Sequence, residues 1–328
     1  MSFLAKIDTP LDFFAFLFAL LVIFVNGWTD APNSIFSIVS SRALKLWQGA
    51  LLSSIFNFLG VLISSLAGAS VAKTIFSIVN ISSRKETSIV CLSCFITVAL
   101  FGILAWFFGL PSSESHALIF SLFGALFSIG APADGLTLQI LYVVFCLVFS
   151  CIASFFISFF ISKLSKTVRL PYKKLLPISC AALSYAHGSQ DGQKLLGILL
   201  FVLSLGGNVF SAPPISLIIL VALIMSLSTM LGGGRIIKTL SKTSSALDFH
   251  SSFCSDFGSF LTIAISSIFG MPISTGNVKS LSIIGCAASK KERINKKMTG
   301  KILLASVITL PVCFLMGYLI CSILSFIL

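Results

Sequence analysis

Charge is the scarcest property of this sequence. Lys, Arg, Asp and Glu together make up 10% of its 328 residues, whereas a soluble globular protein carries about 25%. Hydrophobic residues make up 57%, and the mean hydropathy is +1.08. This balance excludes an ordinary soluble domain. It predicts an all-α integral membrane protein whose apolar helices are surrounded by membrane lipid.

Motifs for enzymatic chemistry are also missing. The sequence has three His residues, and it contains no H-E-x-x-H motif, no G-x-S-x-G motif and no repeated nucleophile–base pair. An intramembrane enzyme is therefore the weakest interpretation, and we expect no cofactor and no metal site. The nine Cys residues lie mostly inside apolar runs, and we interpret them as small buried hydrophobic residues.

The net charge of +12 does not require a nucleic-acid partner, because the basic residues are divided unevenly between the two sets of predicted loops. Sixteen Lys and Arg residues fall in loops on one side, including the segment 163–174, and four fall on the other side. Basic loops stay in the cytoplasm. The pattern predicts a multi-pass protein of the plasma or inner membrane with both termini outside the cytoplasm.

Two polar motifs interrupt the apolar runs, and each occurs twice. "NGWTD" at 26–30 is echoed by "HGSQD" at 187–191, and "GLPSSESH" at 109–116 is echoed by "GMPISTGN" at 270–277. Both pairs are separated by 161 positions, so we predict two copies of one unit, residues 1–165 and 170–328. Each copy would cross the membrane an odd number of times, which inverts the second copy. Inverted repeats are typical of secondary transporters.

Each copy is predicted to hold a broken helix and a re-entrant hairpin. Gly27 and Pro32 would break the first helix inside the membrane, and each G-x-P motif would form the tip of a hairpin. A half-helix that starts at such a tip has unpaired N–H groups and attracts anions. Two inverted tips would face a common point, where hydroxyl groups could hold a tetrahedral oxyanion. Asp30 and Asp191 suit a coupling cation or proton, because charged groups at this depth usually serve function.

The motifs resemble those of a known family. "NGWTDAPNS" resembles the NGANDVANA signature of the PiT family of inorganic phosphate transporters, and "AHGSQDGQKLLG" resembles its second copy. "GLPSSESHALI" and "GMPISTGNV" resemble the P-V-S-T-T-H hairpin tips of that family, and "SIFNFLGVL" and "DGQK" look like its bacterial phosphate-permease branch. The resemblance covers nearly the whole chain. It implies symport of phosphate with Na⁺ or H⁺, with the phosphate held between the two tips.

Two sets of candidate site residues follow from the motifs and the resemblance. The candidate phosphate ligands are Ser112, Ser113, Ser115, Ser274, Thr275, Asn277 and Lys194. The candidate residues for the coupling ion are Asn26, Thr29, Asp30, Asn33, Gln190, Asp191, Glu114 and His116. For Lys194 a second interpretation stays open, in which it neutralises Asp191 across one helical turn.

The sequence departs from the family motifs at several of these positions. Thr29 and Gln190 stand where the family has Asn, and Gly276 and Asn277 stand where it has Thr and His. Because Na⁺ needs several neutral oxygen ligands and a proton needs only a buried carboxyl group, we favour proton coupling. A sulfate or other oxyanion permease of the same fold, a non-transporting sensor or regulatory protein and a passive channel are the alternatives. Homo-oligomerisation is left open.

Overall fold

The computed structural model describes residues 7, 9–68, 71, 83–109, 113–131, 136–204, 213–232, 234, 237, 247–292 and 296–328. Its described residues form ten α-helices, which are α1 (Pro10–Ser40), α2 (Leu46–Ala67), α3 (Arg84–Phe107), α4 (Glu114–Ser128), α5 (Leu136–Ser165), α6 (Tyr172–Ser204), α7 (Ile215–Leu231), α8 (Phe249–Ile268), α9 (Thr275–Ser289) and α10 (Lys296–Ile327).

Five helices are long and apolar enough to cross a membrane, namely α1, α2, α3, α5 and α10. The outer face of α5 shows why a membrane is needed. Phe145, Phe149, Ile152 and Phe156 follow one another at helical spacing, and each is at least half exposed. A continuous apolar stripe of this kind is stable against lipid and not against water. The prediction of an all-α integral membrane protein is confirmed.

The predicted break in the first helix is wrong. Helix α1 continues from Pro10 to Ser40 with Pro32 inside it. Pro32 removes one backbone N–H and therefore one hydrogen bond of the helix. The residues of the next turn are buried, and we attribute the continuity of the helix to their packing. Gly27 serves packing rather than breaking, because a Cβ atom there would lie 2.0 Å from Ser228 Oγ of α7. Helix α6 also passes through its own motif without interruption.

Two short helices, α4 and α9, occupy equivalent places in the two halves of the chain. Each has 15 residues and is about 22 Å long, less than the roughly 30 Å of the hydrocarbon layer. Ser113 caps α4 and Ser274 caps α9, each accepting a bond from the N–H three residues later. Gly109 and Gly270 precede them with φ values of 64° and 66°. All these features recur at the 161-residue offset.

Each short helix packs on the closing helix of the other half. Helix α4 lies against α10, and α9 lies against α5. Glycine allows the backbones of each helix pair to come close together. A Cβ atom on Gly124 of α4 would lie 2.0 Å from Phe314 O of α10, and one on Gly285 of α9 would lie 2.3 Å from Phe155 O of α5. The predicted halves 1–165 and 170–328 therefore pack into one another, and their boundaries stay a prediction. Their inverted orientation and the re-entrant path of α4 and α9 stay predictions.

Candidate functional site

The amino-terminal ends of both short helices meet at one buried lysine. Lys194, in the second half of α6, is 2% exposed. Its ammonium group donates to Ser115 Oγ in the first turn of α4 and to Ile273 O just before α9, both at 2.6 Å. A third bond of 2.6 Å goes to Asp191 Oδ1. The first turns of helices carry unpaired N–H groups and partial positive charge, so this point gathers two such ends and an ammonium group.

Asp191 lies one turn before this lysine and is also fully buried. Thr275, the first residue of α9, donates its hydroxyl to Asp191 Oδ2 at 2.9 Å. His187 Nε2 lies 3.2 Å from the same oxygen, and His187 Nδ1 lies 3.1 Å from Asn57 Oδ1. The motifs alone did not single out His187. The usable signal was its position, because it stands at the 161-residue offset from Asn26.

Asp30 of α1 is surrounded by amides. Asn26 Nδ2 and Asn33 Nδ2 each donate to its carboxylate at 3.3 Å. The two amide oxygens, Asn26 Oδ1 and Asn33 Oδ1, are buried and have no hydrogen-bond partner among the described residues. Buried acceptors are normally satisfied. These oxygens are therefore available to a ligand beside the Asp30 carboxylate.

Glu114 opens α4 and points towards α1. The hydroxyl of Thr29 is hydrogen bonded to Glu114 Oε1, and Thr29 Oγ1 also lies 2.9 Å from Val25 O, as a donor to that carbonyl. Glu114 Oε2 is buried without a described partner. The side chain is 3% exposed, so an ionised carboxylate here would have one oxygen unsatisfied.

Two of the remaining predicted residues, Gln190 and Asn277, are held by scaffold groups. Gln190 donates to Met271 O at 2.7 Å and accepts from the hydroxyl of Ser267. Asn277 Oδ1 accepts from Ser306 at 2.6 Å. Both ring nitrogens of His116 are buried without a described partner. Ser112 lies outside the described residues.

The cavity between these groups is small. It is lined by Val22, Asn26, Val98, Glu114, Ser115, Leu118, Asp191, Lys194 and Leu195, and its volume is about 10 Å³. That space suits about one water molecule, so an oxyanion does not fit in this conformation. Asp30, His187 and Asp191 offer ligand atoms within 4.8 Å of one another. Both oxygens of Asp191 already accept hydrogen bonds, from Lys194 and Thr275, so among these three described residues Asp30 is the carboxylate that could serve a cation.

The comparisons with known proteins agree with one another. The Phosphate transporter family matches the chain twice, over residues 26–177 and 164–317. A Bacillus subtilis (strain 168) protein described as a probable low-affinity inorganic phosphate transporter is 29% identical over 314 residues, covering 91% of this chain and 92% of that protein. A Rhizobium meliloti (strain 1021) protein with the same description is 30% identical over 323 residues, with 92% of each covered.

A solved structure has the same fold. It is described as the sodium-dependent phosphate transporter, and it is similar to this chain with a TM-score of 0.86. The similarity covers 98% of this chain and 100% of that one, at 19% sequence identity. At that identity the similarity shows the fold alone.

Proposed function

The chain belongs to the phosphate transporter family, and from this membership we propose that it carries inorganic phosphate across the plasma membrane by symport with a cation. Membership confirms the family that the motifs resemble. It also confirms the prediction of a transporter rather than an enzyme, since the family and the relatives above are described by transport. The coupled mechanism is our proposal, and it rests on the charges of the site.

One observation carries the assignment of the phosphate site, namely the bridge that Lys194 makes between the two short helices. Phosphate would bind where Ser115 and Ile273 O now hold the ammonium group, between the N–H groups of both first turns. Each helix end contributes the equivalent of about half a positive charge. The hydroxyls of Ser113, Ser274 and Thr275 lie in or beside those turns and supply further donors.

The carboxylates explain why a cation has to accompany the phosphate. Among the described residues, the carboxylates of Asp30, Glu114 and Asp191 share the site with two basic groups, Lys194 and His187. With all groups ionised the site is negative before any anion enters. In a low-dielectric interior, carboxylates that share one small site repel one another strongly. Phosphate entry is therefore favourable only when cations or protons neutralise part of this charge, which is the basis of symport.

Different groups in the site suit different coupling ions. The unpartnered oxygens of Asn26 and Asn33 beside Asp30 would serve as neutral ligands for Na⁺. Glu114 suits a proton, because the single hydroxyl hydrogen of Thr29 cannot serve Val25 O and an ionised Glu114 at once. A protonated Glu114 would donate to Thr29, and Thr29 would then donate to the carbonyl.

Uptake of radiolabelled phosphate by proteoliposomes tests the proposal. We expect the wild-type protein to accumulate phosphate when a Na⁺ gradient is imposed at fixed pH, or when a proton gradient is imposed without Na⁺. Proton coupling predicts internal acidification in Na⁺-free vesicles after correction for the protonation change of phosphate. Glu114→Gln should abolish that acidification.

Two controls separate the alternatives. Unlabelled sulfate should compete weakly, and equal competition by sulfate would favour a general oxyanion permease. Absence of uptake under both gradients, by protein that is monodisperse and correctly inserted, would contradict transport and favour a sensor. Accumulation that ignores both gradients and stops at equal concentrations would indicate a channel.

A further inference from the structure

The two copies surround their equivalent aspartates with different side chains. At the 161-residue offset, Asp30 corresponds to Asp191, Asn26 to His187, and Asn33 to Lys194. One turn before and one turn after the carboxylate, the first copy therefore has amides and the second copy has basic groups. This difference in chemistry is built into otherwise equivalent helices, α1 and α6.

At Asp30 the neighbouring atoms that lack partners are acceptors. The amide nitrogens of Asn26 and Asn33 bind the carboxylate, and their oxygens are buried with no described partner. Both side chains are 3% exposed. A carboxylate with two neutral oxygens beside it is a ligand set for a hard monovalent cation.

At Asp191 the corresponding place is filled by the protein itself. The ammonium group of Lys194 contacts a carboxylate oxygen, a hydroxyl oxygen and a backbone carbonyl oxygen, each at 2.6 Å. These are the kinds of oxygen that bind Na⁺ in transporters. Thr275 and His187 approach the second oxygen of the carboxylate. Asp191 therefore has donors from within the chain on both of its oxygens.

We infer that the ammonium group of Lys194 takes, in the second copy, the place that an exchangeable cation takes at Asp30 in the first copy. The second copy then contributes a fixed positive charge instead of a cation site. If both copies had an aspartate flanked by amides, the protein would bind two exchangeable cations at these positions. With Lys194 in the second copy, it binds one fewer. The inference about how many cations are carried with each phosphate rests on the proposed function. The inference about how many cations the protein binds does not depend on transport.

The substitution Lys194→Asn tests this inference, because it gives Asp191 the amide that Asp30 already has at Asn33. Two quantities are measured: the capacity of purified protein for radioactive Na⁺ at fixed pH, and the phosphate accumulation of proteoliposomes at zero net flux as the driving ion gradient is varied. We expect the capacity to rise by one ion per polypeptide. A tenfold gradient of the driving ion should then sustain about tenfold more phosphate accumulation than in the wild type. Lys194→Arg keeps the positive charge beside Asp191 and should therefore gain no additional Na⁺ ion.

The double variant Asp191→Asn/Lys194→Asn removes both charges and guards against misfolding of the single variant. It should keep the wild-type Na⁺ capacity, because Asp191 binds no exchangeable cation. Loss of an ion by the double variant, or an unchanged capacity in folded Lys194→Asn, overturns the inference. If wild-type vesicles take up no phosphate while Lys194→Asn gains a Na⁺ site, the proposed function fails and the inference stands. If wild-type uptake is normal and Lys194→Asn gains nothing in either measurement, the inference fails and the proposed function stands.

Discussion

A second buried ion pair allows a stability prediction with a stated magnitude. Lys279 in α9 and Asp256 in α8 form an ion pair and are almost completely buried. Lys279 Nζ also donates to Ser37 Oγ of α1 at 2.7 Å and to Ser255 Oγ at 3.1 Å. Asp256 accepts from Ser179 of α6 at 3.3 Å. The pair thus ties together three helices and the start of α6.

Removing one member should cost much more than removing both. Asp256→Asn leaves an ammonium group buried among neutral hydroxyls, and Lys279→Met leaves a buried carboxylate. Breaking a buried pair in this way costs about 3–5 kcal/mol, whereas replacing both members by uncharged groups is often close to neutral. We therefore expect each single variant to lose about 3–5 kcal/mol of unfolding free energy, and the double variant to be more stable than either.

Reversible unfolding in mixed detergent micelles, followed by tryptophan fluorescence, measures these differences. The matched control is the pair of Lys290 and Asp248, which is open to solvent at the carboxylate: the Lys290 side chain is 15% exposed and the Asp248 side chain is 58% exposed. Lys290→Met should cost at most about 1 kcal/mol, because exposed pairs are screened by solvent. If each single variant of the buried pair loses no more stability than this control, or if the two losses simply add in the double variant, the charges of Lys279 and Asp256 do not stabilise each other as proposed.

Three further predictions concern topology, coupling and packing. Single cysteines in the segment 163–174 of a Cys-free variant should be protected from impermeant thiol reagents in intact cells, and labelling there would reverse the predicted orientation. Asp30→Asn and Asp191→Asn should each abolish gradient-driven phosphate uptake while the protein stays in the membrane, and wild-type uptake by either would remove that residue from the mechanism. Gly124→Val should lower the yield of folded protein, because its Cβ would meet Phe314 O at 2.0 Å; normal yield and stability would show that α4 and α10 are packed less closely.

The short helices could be predicted from the sequence because their signals are local. A glycine that allows positive φ, a proline and a serine cap stand within a few residues at each tip. The caps at Ser113 and Ser274 lie where the motifs place them. Two pairs of motifs were then enough to reveal the offset of 161 positions between the two copies.

The contacts between helices could not be predicted in the same way. Gly27 and Pro32 are breakers by local preference, but packing against α7 decides the outcome and α1 stays helical. The partner of Lys279 lies 23 positions earlier in the chain, on another helix. His187 opens the motif HGSQD, and its spacing places it beside Asp191 on α6. Its contact with Asn57 of α2, in contrast, depends on how the two helices pack. Such pairings depend on how helices rotate against one another, which composition and spacing do not encode.

The proposed phosphate site lies between the first turns of α4 and α9. An experimental structure of the purified protein at saturating phosphate, with the coupling ion present, tests it most directly. We predict density for a tetrahedral anion within hydrogen-bonding distance of Ser115 and Thr275, with the ammonium group of Lys194 beside it and the cavity larger than the present 10 Å³. Phosphate density elsewhere in the protein, with these two helix ends still closed around Lys194, would contradict a phosphate site at this position.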